Sequence, residues 1–518
     1  MTNKYEYITT AIAYPNNRIH IGFAWECVGA DWLSRSHKLM GRPTLFVTGT
    51  DEHSAKVEKA AIAQGLDPQA YCNKMAEDIR KVLDQLGISY DRFIRTSDAD
   101  HKRVVQALLK RAKENGDVYK AEYEGHYCEG CEAFYLEKDL VDGLCPDHKT
   151  KPQWIKESNY FFKLSKYQDA ILKLLKDNKD FLQPEYRKNE MLHFVETGLK
   201  DFSISRAGLK WGIEFPDDPE HVVYVWFDAL INYVTAAGFE KGDAELKKFW
   251  PASTHIIGKD VARFHCIYWP AMLMSLNLSL PKQVFAHGWM NLKGERMSKS
   301  TGNMITPDEV MAVTGPDALR YYLLAENQFS GDGNFAMDLL ALKVNADLSN
   351  DFGNLVNRTI NMSRKYFPNE PMRLPLKATH SKEIVDSFDA LQAELEAAIR
   401  AVDPMAYCKA CTARSRLLNL YIDKTKPWAL AKAGSNEELK EVLFTLLEGI
   451  RWIATALLPV LPFKMPEVYS QLGLSAPTLL GAYEKLRWGQ SEISTTEPKP
   501  IFPRIELAVD SPESGVKK

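Results

Sequence analysis

Residues 13–32 read AYPNNRIHIGFAWECVGADW, and the segments on either side of this stretch decide the fold class. Just before it, YEYITTAIAY (5–14) is a short apolar and β-branched run. A Pro-Asn-Asn turn ends that run, and FAWECVGADWLSRSHKLMG (23–41) follows with apolar residues at helical spacing. The order is strand, loop, helix. TLFVTG (44–49) is strand-like again and leads into Thr50, Asp51, Glu52 and His53 ahead of another helical segment, the β-α-β alternation from which parallel sheets are built. Ligands in such sheets bind at the carboxyl ends of the strands. His20, two residues before Gly22 at the mouth of an apolar helix, is therefore either an anion site or an ordinary turn.

Further along, the alternation breaks at about residue 118 into a cysteine-containing insert that runs to about 202. It resumes with VVYVWFDAL (222–230) and THIIGKDV (254–261), so the sheet is expected to be split. After Phe335 the character changes to long amphipathic helices such as SKEIVDSFDALQAELEAAIRAV (381–402) and LKEVLFTLLEGIRWIATALLPVL (439–461), which read as an antiparallel bundle. The last thirty or so residues are polar and Pro-rich around one apolar patch, IFPRIEL (501–507), the pattern of a tail that docks briefly and then frays. A chain of 518 residues exceeds one core, and about 100 to 200 residues per domain suggests three or four.

Composition excludes several classes. The 45% apolar and 26% charged fractions are those of a globular chain and not of a disordered or fibrous one. No apolar run reaches the roughly 20 residues that span a bilayer. MTNKYE (1–6) lacks the basic-then-apolar pattern of a signal peptide, so a cytoplasmic address is expected. A net charge of −3 gives no bulk attraction to nucleic acid, and any such binding must rest on local basic patches. Eight cysteines at scattered positions with one metal-like cluster fit a reducing compartment without disulfides.

That cluster is YCEGCEAFYLEKDLVDGLCPDHK (127–149). Cys128 and Cys131 form one pair at x2 spacing, and Cys145 with His148 forms a second. Two tight turns of this kind present four soft donors tetrahedrally, which suits a closed structural zinc site. Cys408 and Cys411 share the spacing but lie in a helical pattern with no partner pair, and core packing is the better reading there. Downstream, NLKGERMSKSTGN (291–303) places Arg296, Lys299 and two serines between Gly294 and Gly302. A loop of this composition closes over polyphosphate or stands as a solvated basic loop; its pairing with the opening stretch favours the first.

His20-Ile21-Gly22-Phe23 after an early strand, with Arg296-Met297-Ser298-Lys299-Ser300 far downstream, resembles the paired HIGH and KMSKS signatures of class I aminoacyl-tRNA synthetases. The resemblance narrows to the methionyl-tRNA synthetases through AIAYPNNRIHIG, FVTGTDEHSAKV, the cysteine-histidine knuckle, VYVWFDALINY, HIIGKDVARFHCIYWPAML and FAHGWMNLKGERMSKSTGN, and it covers nearly the whole chain. It implies an α/β fold: a Rossmann-type parallel sheet split by a zinc-knuckle insert and followed by an α-helical anticodon-binding bundle. The expected divisions are 1–117 and 203–290 for the two catalytic halves, 118–202 for the insert, 291–345 for the KMSKS-loop and stem-contact region, 346–488 for the bundle and 489–518 for the tail.

The implied reaction joins methionine to ATP-Mg2+ as methionyl-adenylate, releasing pyrophosphate, and then passes the methionyl group to tRNA(Met) with release of AMP. By similarity His20, Lys299 and Arg296 act on the phosphates, Gly22 lets adenine lie close to the backbone, and Gly258 with Asp260 meets the ribose. Asp51 holds the methionine ammonium beside Ile12 and Tyr14, while Trp226, Tyr233, Val261 and His265 form the thioether pocket, with Arg206 in its surround. Without the other motifs, Trp226 and Tyr233 read as ordinary core aromatics. Asn354 and Arg358, one helical turn apart, and Trp428, behind a helix-opening proline, match the anticodon-reading helices; Trp428 reads equally as a packing residue. Zinc at Cys128, Cys131, Cys145 and His148 completes the implied set, and a monomer is expected. Two departures stand out: Phe23 replaces the second signature histidine, and Leu230 stands where the family often has proline. They leave room for a paralogue that activates another acid, or for a tRNA-binding protein with impaired catalysis.

Overall fold

The computed structural model describes residues 5–507 apart from 129–132, 136, 138–139, 147–148, 298–302, 369 and 374–380. Among the described residues, six strands share one parallel sheet: β1 (Glu6–Thr10), β2 (Thr44–Thr50), β3 (Arg92–Arg95), β4 (Leu182–Gln183), β5 (Thr254–Gly258) and β6 (Gln283–His287). Their order across the sheet is β3-β2-β1-β5-β6-β4. The chain runs outward from β1 to β3 and later returns to the other side of β1 with β5. The strand order therefore reverses between β1 and β5, and a crevice opens at their carboxyl ends. Every residue of β5 is buried, as expected for a parallel strand covered on both faces.

Two helices line that crevice and a third packs behind one of them. α1 (Ile21–Leu39) links β1 to β2, α2 (Ala99–Glu114) follows β3, and α3 (Val225–Ala236) leads toward β5. α1 is buried nearly all round because it lies between the sheet and the later helices; its Trp25 indole donates to the Leu323 carbonyl at 2.8 Å. The later helices are α4 (Pro316–Ala325), α5 (Asn354–Tyr366), α6 (Lys382–Ala401), α7 (Pro404–Thr425), α8 (Pro427–Ala433), α9 (Asn436–Leu457) and α10 (Lys464–Gln471). α7 packs against both α6 and α9. Arg320 on α4, fully buried, joins this part to the sheet layer: it donates to the Val460, Pro459 and Leu86 carbonyls and to Asp31 Oδ2 on α1 at 2.7–3.1 Å.

Residues 118–202 contain an antiparallel sheet of Val118–Cys128, Ala133–Tyr135 and Gln153–Phe162, completed by Phe202–Ser203. β4 lies in the same stretch of chain yet pairs in parallel with Val284 and Phe285 of β6. Two residues carry no periodicity, so nothing in the sequence pattern marks this strand.

Candidate active site

One cavity of about 450 Å³ sits at the carboxyl ends of β1, β2, β5 and β6. Its walls include Ile12, Tyr14, His20, Gly22, Asp51, Trp226, Tyr233, Gly258, Asp260, Val261, His265 and Arg296. Twelve residues singled out from sequence thus meet in one place. Lys299 lies outside the described residues.

His20 is the N-cap of α1. Its Nδ1 accepts the Gly22 N–H at 3.0 Å, which leaves the ring proton on Nε2 as a donor. The first turn of α1 holds no acidic side chain, so the positive end of the helix is uncompensated. Gly22 leaves room for the His20 ring in this pose: a Cβ there would stand 2.9 Å from the His20 Cε1, and in ordinary contact, at 3.5 Å, with the Met297 Cε. The Ile21 N–H bonds the Ile305 carbonyl at 3.1 Å. Both flanks of the Arg296-containing loop therefore touch the opening turn of α1, and the two signatures, some 270 residues apart in sequence, form one corner.

Opposite that corner, Glu26 accepts the Ala11 N–H at 2.8 Å and pairs with His287 Nε2 at 2.8 Å. Burial pushes its carboxyl above the usual range, against the pull of His287. A Cβ at Gly258 would sit 2.5 Å from Asp260 Oδ1, so glycine there lets the Asp260 carboxylate keep this position. Trp289 donates to that same Oδ1 at 3.4 Å, and its ring is flanked by Lys259 Nζ at 4.1 Å and the Arg296 guanidinium at 3.9 Å. Lys259 is itself held by both carboxylate oxygens of Asp332.

The deep end is aromatic. Trp226 stacks on Phe264, and buried Tyr233 lies against His255 and His265. His265 Nδ1 faces the Val261 carbonyl at 3.0 Å, so it carries the proton; Nε2 then accepts from the Tyr233 hydroxyl at 2.7 Å. Burial lowers His265 to about 4, in keeping with this neutral tautomer. Asp51 is buried at the rim, its N–H bonded to the Ala13 carbonyl. Leu230 lines this end as well, and Phe23 lines the corner near His20.

Other selected residues lie elsewhere. Arg206 is buried behind the start of α3, bonded to Ser203 and the Ser205 carbonyl and stacked 3.8 Å from the Tyr224 ring, away from the cavity wall. Asn354 and Trp428 are exposed on α5 and α8, and Arg358 on α5 reaches Asp423 at 3.9 Å, five residues before Trp428. Trp428 is 47% exposed, which argues against a packing role. Cys128 and Cys145 are buried, and neither forms a disulfide among the described residues. Both abut Thr150: Cys128 Sγ lies 3.9 Å from its hydroxyl, and the Cys145 N–H bonds its carbonyl. Two buried cysteines whose segments both meet Thr150 have the donor chemistry that a structural zinc ion takes; Cys131 and His148 fall outside the described residues. Sequence reasoning passed over Glu26, His287, Trp289 and Met297 as cavity residues. His287 ends β6, so the strand-end rule alone points to it.

Comparison with known proteins gives a consistent result. A family model described as "tRNA synthetases class I (M)" matches residues 6–153 and 147–360. Methionine–tRNA ligase of Caldanaerobacter subterraneus subsp. tengcongensis is 42% identical over 508 residues, covering 97% of this chain and 79% of the relative. That of Clostridium acetobutylicum is 44% identical over 506 residues, covering 97% and 78%. The crystal structure of Mycobacterium tuberculosis methionyl-tRNA synthetase bound by methionyl-adenylate superposes with a TM-score of 0.92 at 36% identity, over 96% of this chain and 100% of that one.

Proposed function

The chain belongs to the class I methionyl-tRNA synthetases, enzymes that activate L-methionine with ATP and ligate it to tRNA, and we propose that its cavity at the β1/β5 crevice is where both steps occur. The observation that carries this reading is the corner where His20, Gly22 and the flanks of the Arg296 loop meet, joined by the Ile21 N–H to Ile305 bond. His20 Nε2–H donates to an ATP phosphate oxygen beside the positive end of α1. Arg296 and Lys299 neutralise the charge that develops on the polyphosphate as the methionine carboxylate attacks the α-phosphorus; Mg2+ accompanies the nucleotide and shares that charge. Gly258 and Asp260 meet the ribose. Asp51 takes the ammonium, and the neutral Tyr233–His265 pair with Trp226, Val261, Ile12 and Tyr14 encloses the thioether, where sulfur–aromatic contact contributes roughly 0.3 to 1.5 kcal/mol. Arg206 supports the start of α3 from behind.

The charging half of the reaction needs the helical region. In our reading Asn354, Arg358 and exposed Trp428 meet unstacked anticodon bases of tRNA(Met), with Trp428 as the stacking platform. One zinc ion held by Cys128, Cys131, Cys145 and His148 ties the insert together, and its contribution there is structural. We take the protein to act as a cytoplasmic monomer; among the described residues no helix is long and apolar enough to cross a membrane. The test is amino-acid-dependent ATP–pyrophosphate exchange across a panel of acids. Exchange supported by methionine is the expected outcome, exchange with a different acid would reassign the pocket, and none at all would leave only RNA binding.

A further inference from the structure

Behind the methionine end of the cavity lies a polar cluster that the reaction as described leaves unused. Asp228 on α3 is fully buried between two histidines, also fully buried: His53 Nδ1 is 2.8 Å from its Oδ2, and His101 Nε2 is 2.7 Å from its Oδ1. His101, on α2, continues to the Thr235 hydroxyl at 3.2 Å, one face of α3 further along, and Thr235 donates back to the Ile231 carbonyl. His53 Nε2 is buried with no hydrogen-bond partner among the described residues. Burial pulls the Asp228 carboxyl up, yet the two histidines outweigh that and hold it below its usual range.

The cluster joins the two halves of the amino-acid site. His53 lies two residues after Asp51 in a segment pinned to its own side of the crevice. There the Asp51 N–H bonds Ala13, the buried Glu52 carboxylate takes both Arg95 donors at 2.6 and 3.0 Å, and the Glu52 N–H bonds Thr96. On α3, helical spacing puts Asp228, Ile231 and Thr235 on one face and Trp226, Leu230 and Tyr233 on the other. The second face lines the cavity. His53–Asp228 therefore connects the segment bearing Asp51 to the helix bearing the aromatic pocket. Stability alone gives little reason to keep such a cluster, since a buried ion set is often no better than apolar residues of the same volume.

We propose that the His53–Asp228–His101 cluster is a strut that fixes the separation between the Asp51 carboxylate and the α3 face of the pocket, and so sets the length of amino acid accepted. Its members are positioning residues, and the proposal rests on Asp51 holding the ammonium. A pocket of fixed depth discriminates by about one methylene, worth roughly 10- to 200-fold. A loosened strut lets α3 shift and that ratio fall.

The experiment is ATP–pyrophosphate exchange with methionine, with ethionine (one carbon longer beyond sulfur) and with S-methylcysteine (one carbon shorter before it), on the wild type, Asp228→Asn and Thr235→Val. In Asp228→Asn the methionine preference over both analogues should fall about tenfold while the ATP KM stays within about twofold. Thr235→Val, which disturbs only the far end, should shift the same ratios less and serves if Asp228→Asn does not fold. A uniform loss for all three amino acids, or unchanged ratios in a folded variant, overturns the strut. Asp51→Asn separates the two readings. If Asp51 does not hold the ammonium, that variant keeps the wild-type methionine KM; if only the strut fails, the Asp51→Asn loss remains.

Discussion

Gly22→Ala tests the phosphate corner at a cost the structure lets us work out. The added Cβ would stand 2.9 Å from His20 Cε1 and 3.0 Å from Nδ1, closer than carbon approaches in packed proteins, so the imidazole must turn away. Two quantities then move in opposite directions. Losing the cap bond from the Gly22 N–H destabilises α1 by about 0.5 to 2 kcal/mol, whereas replacing glycine by alanine in a helix gains up to about 1 kcal/mol. The net change in stability runs from a gain of about 0.5 to a loss of about 2 kcal/mol, a few degrees in Tm at most for a chain of this size. Catalysis has no such offset. A displaced His20 can no longer place Nε2–H on a phosphate oxygen, and one charge-assisted hydrogen bond is worth about 1.5 to 3 kcal/mol, roughly ten- to a hundredfold in rate. Thermal unfolding and methionine-dependent pyrophosphate exchange should therefore part company, with a near-native Tm and kcat/KM for ATP down by that factor. Exchange at the wild-type rate in a folded Gly22→Ala protein would refute the role of His20. A Tm loss of ten degrees or more would show that the corner is structural instead.

Four further outcomes follow from the same geometry. Phe23 packs against the core together with partly buried Met297 and Ile305, so Phe23→His should change the exchange rate by less than about threefold; a rise of tenfold or more would mean the native corner lacks a needed donor. Trp428→Ala should raise the tRNA KM about tenfold or more and leave pyrophosphate exchange intact, while equal losses in both assays would assign Trp428 to packing. Metal analysis should find one zinc per chain and a clear fall in Cys128→Ser; a zinc-free wild type would remove the knuckle assignment. Burial pushes Asp317 up to about 6 against the pull of Arg320 and the Phe463 and Lys464 N–H groups. Its unfolded value is about 3.9, so the folded chain holds this proton more tightly, and the resulting stabilisation is full below about pH 4 and lost as pH rises through 6. Relative to Asp317→Asn, the wild type should lose about 2 to 3 kcal/mol of unfolding free energy between pH 4 and 7, and parallel profiles would contradict the shift.

What the sequence made legible, and what it hid, divides by the distance between partners. The strand-loop-helix order around His20 and the strand end at Asp51 are local patterns, and local patterns in an α/β chain point to the strand carboxyl edge, which is where the cavity lies. Glu26 was hidden by the same locality. In a helix as apolar as α1 an acid reads as an isolated polar residue, and its role emerges only because β6 brings His287 to 2.8 Å across 261 residues. His53 and Asp228 are 175 residues apart, and neither has a near neighbour in sequence that suggests the other. Arg206, which the resemblance assigns to the active-site surround, turns its guanidinium onto Tyr224, behind the helix whose other face forms the wall, a placement that no local pattern indicates. The residues of the crevice wall were therefore readable where one element supplies a group to it. The groups that aim those elements were not, because each pairs side chains from opposite halves of the sheet, and only the return of the chain from β3 to β5 beside β1 brings such halves together.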